Sequence, residues 1–94
     1  LIHMATYKGW TNWETWMFWK QEADAVQYSV NVGDTLEGLD DLIFTHISFL
    51  AEDLHLENVA DLTRSFVLAS YEEVNIKEIA EVLYEQLVEA YELT

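Results

Sequence analysis

Glu52 and His55 stand three residues apart, the spacing at which one helical face offers a carboxylate and an imidazole to the same metal ion. In di-iron carboxylate bundles that pair recurs on a second helix, and two further glutamates complete the site. This chain holds no second Glu-x-x-His, so neither a metal nor a cofactor is expected. His46, between Thr45 and Ile47, has the setting of an ordinary hydrogen-bonded or half-exposed histidine. Carboxylates are so numerous that some pair must fall at a glycosidase-like separation by abundance alone. No Gly-rich phosphate loop, nucleophile elbow or Walker sequence occurs, and without cysteine there is no thiolate ligand or nucleophile. The chemistry-bearing residues therefore point away from an enzyme.

What they point toward is a charged surface. Across 94 residues, 18 Asp and Glu face 4 Lys and Arg, for a formal net charge of −14. Such a surface repels nucleic-acid phosphates and anionic lipid headgroups and attracts basic surfaces over a Debye length of about 8 Å. The charge is uneven: three acids against two bases through Gly33, fifteen against two from Asp34 onward, or −1 and −13. Its most regular part is Glu78, Glu81, Glu85, Glu89 and Glu92, at steps of three, four, four and three, which on a helix fall along one stripe. Like charges so spaced destabilise a helix by a few tenths of a kcal/mol per pair. Two readings stay open: a solvated face that keeps the protein dispersed, or a surface imitating a nucleic-acid backbone that occupies a basic groove. One stripe carries a charge about every 5.4 Å, against about 3.4 Å per strand of duplex DNA, so a mimic needs a second rail. Glu37, Asp40, Asp41, Glu52, Asp53, Glu57 and Asp61 are available for it, or a dimer doubles the first rail. A surface acidic only for solubility is usually interspersed with Lys and Arg, which are scarce here.

The other dense feature is Trp10, Trp13, Trp16 and Trp19, with Met17 and Phe18 among them. Three-residue steps drift by about 60° on a helix, so four indoles cannot share one narrow face. Trp16 and Trp19 are expected in the core, with Trp10 and Trp13 at its edge. The alternative makes Trp13, Met17 or Phe18 an exposed anchor for a partner, because aromatic side chains dominate interface hot spots.

The elements that must position these residues are helices. Thr11-Asn12-Trp13-Glu14 has the form of a capping box, with the Thr11 hydroxyl accepting from the Glu14 amide and the Glu14 carboxylate returning to the Thr11 amide. Apolar spacing then predicts a first helix from about Thr11 to Tyr28. The segment 29–33 reads as a short strand or linker, and Asp34-Thr35 as a fresh N-cap. Leu36, Leu39, Ile43, Ile47, Leu50 and Leu54 predict a second helix. Val59, Leu62, Phe66 and Ala69 predict a third, with a turn over Ser70 to Glu73. Asn75 caps a long last helix with Ile76, Ile79, Ala80, Leu83, Leu87 and Tyr91 inward. The expected fold is all-α, a compact bundle of about four helices. Its core is expected to draw on Trp16, Trp19, Leu39, Ile43, Ile47, Leu50, Leu62, Phe66, Ile79, Leu83 and Leu87.

The first four residues, Leu1-Ile2-His3-Met4, read as a cloning remnant, leaving residues 5–94 as a single helical domain. At 51% hydrophobic residues the chain is too apolar for a disordered tail and is expected to fold. No stretch approaches the roughly 18 apolar residues of a membrane span. A cytoplasmic setting without membrane or direct nucleic-acid contact is expected, and the apolar half of the composition also admits a homodimer.

Gly9-Trp10-Thr11-Asn12-Trp13-Glu14-Thr15-Trp16 resembles the G-W-T-N-[WY]-E-T-W opening of small proteins found in phages and mobile elements. The resemblance covers about ten residues and implies such an origin. Combined with the acidic balance, it is similar to small anti-defence proteins, the anti-CRISPR and anti-restriction inhibitors, some of which are DNA mimics. The function that the resemblance implies is inhibition of a host nucleic-acid-binding defence complex, in the host cytoplasm, through the acidic residues named above. The competing reading is a non-enzymatic adaptor that grips a protein through Trp13, Met17 and Phe18.

Overall fold

A computed structural model of the chain describes residues 6–54 and 59–92, with side chains as far as residue 90. Four helices follow one another: α1 (Trp13–Tyr28), α2 (Leu36–Glu52), α3 (Asp61–Glu72) and α4 (Ile76–Glu92). They form an all-α bundle measuring 51 × 38 × 20 Å, and its smallest dimension is about two helix diameters.

The chain enters α1 through a tight reversal. Tyr7 and Trp10 exchange backbone hydrogen bonds of 2.7 and 2.8 Å. Lys8 and Gly9 between them both have positive φ, 51° and 88°, the combination a two-residue hairpin turn of type I′ requires. The reversal lays Tyr7 against Trp16, with ring centroids 5.1 Å apart, and Trp10 against Trp19 at 5.5 Å. Asn12, not Thr11, is the N-cap of α1: its Oδ1 accepts from the Thr15 amide at 2.9 Å.

Between α1 and α2 the segment 29–33, read as a short strand or a linker, is a linker. Val30 hydrogen-bonds back to Gln27, Asn31 and Asp34 close a turn on each other, and Gly33 takes a φ of +96°. Thr35 caps α2 by accepting from the Gly38 amide at 3.0 Å. Helix α3 lacks a side-chain cap at Ala60, and it runs through Glu72, so the turn expected from Ser70 begins three residues later.

The core lies mainly between α2 and α4, the pair with the most extensive packing. Leu39, Ile43 and Ile47 on one helix meet Ile79, Ala80 and Leu83 on the other; Phe18 and Val26 of α1 and Val74 before α4 complete it. Each of these side chains larger than alanine contributes about 1.5–3 kcal/mol by leaving water. Three core expectations are corrected. Phe18 takes the buried place expected of Trp16, which stays half-buried. Leu62 and Phe66 are 69% and 66% exposed, because α3 seats Val67 and Tyr71 inward instead. The stripe Leu62–Phe66–Ala69 lies about 100–160° around the helix from Val67 and faces out.

Candidate partner-binding surfaces

Three surfaces bear on function: the junction where α1 and α4 begin, the acidic stripe of α4, and a groove between α1 and α3. The junction fixes the other two. Asn12 Oδ1 accepts from the Thr15 hydroxyl at 2.6 Å, and that hydroxyl accepts from the Asn75 amide at 2.8 Å. Asn75 Nδ2 donates to the Thr11 hydroxyl at 3.1 Å, and Asn12 Nδ2 donates to the Glu73 carbonyl at 2.7 Å. The Asn75 side chain caps α4 by accepting from the Glu78 amide. The Thr11 amide, which the capping-box pattern assigns to Glu14, donates to Glu78 Oε1 at 3.0 Å across 67 residues. Asn12 and Asn75 thus each cap their own helix, while each helix supplies an acceptor for the backbone amide of a residue just ahead of the other, and Glu78 sits where both helix dipoles favour a negative charge. Among the described residues no buried side-chain polar atom lacks a partner.

The resemblance-bearing segment therefore has a structural occupation here: Thr11, Asn12 and Thr15 tie α1 to α4. Trp16 lies outside the core between two ammonium groups, with Lys8 Nζ 5.3 Å and Lys20 Nζ 5.0 Å from its ring centroid. Those contacts occupy two of the chain's four cationic side chains.

Along α4 the five-glutamate stripe divides. Glu78 is half-buried at the junction, whereas Glu81, Glu85 and Glu89 are exposed, about 6 Å apart per step of four residues. None of those three has a basic partner among the described residues; the acids that do are Glu22, 2.9 Å from His46, and Asp61, 3.4 Å from Arg64. Asp41 and Glu52 share the outward side of α2 within about 20°, while Asp40 is half-buried beside them. Asp53 and Asp61 are exposed where α2 ends and α3 begins. His55 and Glu57 lie outside the described residues, and so does the side chain of Glu92. Among the described residues no three His, Cys, Asp or Glu are grouped to hold a metal, and no helix is long and apolar enough to cross a membrane.

The aromatic candidates converge on the groove, whose volume is about 450 Å³. Trp13, Met17 and Gln21, four residues apart along α1, make one wall, and Val67, Ser70 and Tyr71 of α3 the other. Leu50 and Phe18 line it between them. Phe18 is buried, its ring nearly perpendicular to that of His46 with centroids 5.9 Å apart, so it is not the exposed anchor expected; Trp13, 45% exposed, has that position. The groove was not legible in the sequence, because its α3 wall comes from the apolar stripe that local spacing ranks second. His46, bonded to Glu22 and half-buried, matches the ordinary histidine expected there.

Compared with known proteins, the chain matches no family model, no curated protein and no solved structure.

Proposed function

We propose that this protein is a non-enzymatic inhibitor of phage or mobile-element origin, and that its acidic surface occupies the basic nucleic-acid-binding surface of a host defence complex in the cytoplasm. The observation that carries the reading is the exposed row Glu81, Glu85 and Glu89, without a cationic partner among the described residues on a chain of net charge −14. Mutually repelling carboxylates weaken the helix they sit on, so a partner that neutralises them supplies what the chain itself does not. The three span only about 12 Å, so Asp41 and Glu52 on α2, or a second copy of the chain, must add the remaining charge. The test is affinity capture from a nuclease-treated bacterial lysate at about 0.05 and 0.5 M salt. A basic protein retained at low salt, released at high salt and lost with the combined Glu81→Gln, Glu85→Gln and Glu89→Gln substitutions supports the reading. Undiminished capture by that variant sinks it.

A second reading, an adaptor that holds its partner through aromatic side chains, is favoured by the convergence of Trp13 and Met17 on one groove. Contact made that way persists at high salt and is lost on Trp13→Ala.

A further inference from the structure

We infer that the groove between α1 and α3 receives a basic amphipathic helix from a partner protein, an inference that deepens the second reading above and rests on it. Shape is the first reason. The α1 wall from Trp13 to Gln21 spans nine residues, about 12 Å from first to last, which matches the two turns over which a docked helix presents apolar anchors at i, i+3 or i+4, and i+7. Trp13, Met17, Leu50 and Tyr71 offer those anchors apolar and aromatic contact.

Charge decides among occupants. The groove lining includes Glu14 and Glu22 and no lysine or arginine. Glu14 has no hydrogen-bond or ion-pair partner among the described residues, and Lys8 and Lys20 are gathered at Trp16. A helix that buries leucines in the groove and turns lysines or arginines to its rim meets the Glu14 carboxylate there, whereas Glu22 is already bonded to His46 at 2.9 Å. A second copy of this chain brings another −14 and helices that carry acids of their own, so like charges oppose it.

The probe is a synthetic amphipathic helix of about 16 residues, with leucine anchors at i, i+4 and i+7 and lysines flanking them, titrated into the whole chain. The readouts are fluorescence anisotropy of the labelled peptide and the four indole N–H resonances of the protein. Binding is expected to shift the Trp13 resonance most and that of Trp16, on another side of α1, least. Trp13→Ala and, separately, Met17→Gln are expected to weaken binding by about tenfold or more with helix content unchanged. The triple Gln variant of α4 is expected to bind the peptide within about threefold of the parent, so the two functional readings separate in one assay. A peptide with glutamate in place of each lysine that binds as tightly overturns the basic partner and leaves the aromatic groove standing. Peptide binding that ignores Trp13→Ala and leaves its resonance in place, or no binding at all, overturns both the inference and the adaptor reading. A dimer that dissociates on Trp13→Ala assigns the groove to a second copy and likewise overturns the inference.

Discussion

At the end of the bundle where α1 and α4 begin, Thr11, Asn12 and Thr15 answer groups on residues 73–78, and Asn75 and Glu78 answer groups on 11–15. Along α3 no side chain is fully buried, no side-chain cap stands at Ala60, and Leu62 and Phe66 face solvent. Both regions belong to one small helical bundle, yet they are held by opposite means. The junction depends on polar groups whose loss leaves a part-buried donor or acceptor stranded. The α3 flank depends on modest apolar contact and tolerates change. The polar interlock ties the starts of α1 and α4 together, and the largely exposed Leu62 and Phe66 lie away from it on α3.

Substitutions that break this contrast are ordered by size. Thr15→Val keeps the volume of a fully buried side chain and removes the hydroxyl that serves both Asn12 and the Asn75 amide. A loss of about 2–3 kcal/mol in urea unfolding is expected, because the amide keeps its desolvation cost without its acceptor. Asn12→Ala removes the α1 cap and the bond to the Glu73 carbonyl and is expected to cost about 1–2 kcal/mol in the same measurement. A double-mutant cycle of Asn12→Ala with Glu78→Ala sharpens the point: coupling of about 0.5 kcal/mol or more is expected, and strict additivity would show two caps that merely stand near each other. On the other region, Phe66→Ser is expected to change stability by no more than about 0.5 kcal/mol, as an exposed position should. A larger loss would mean that α3 is buried in solution by another chain. Smallest of all, the triple Gln substitution on α4 is expected to raise thermal stability by a few tenths of a kcal/mol per relieved pair.

The same contrast explains what the sequence disclosed. Helices α2 and α4 were legible because each carries one dominant apolar stripe, Leu39–Ile43–Ile47 and Ile79–Leu83, and burial followed the stripe. Helix α3 carries two, and local spacing ranks Leu62–Phe66–Ala69 first; the choice of Val67 and Tyr71 is made by what α1 and α2 present to it, which no window of α3 contains. The capping pattern placed the start of α1 within two residues, yet it named the wrong carboxylate, because Glu14 and Glu78 are equivalent acceptors and only the fold brings the second one near. Trp13 and Met17 as aromatic candidates came from composition and spacing. That they border a groove depends on a partner wall fifty residues away.

Glu78's reach to the Thr11 amide also orders events in time. A ribosome adding about 5–20 residues per second makes Thr11 several seconds before Glu78 exists. Through that interval the start of α1 lacks the carboxylate that will hold its Thr11 amide. A chain cut short before Glu78 never gains that acceptor for the Thr11 amide.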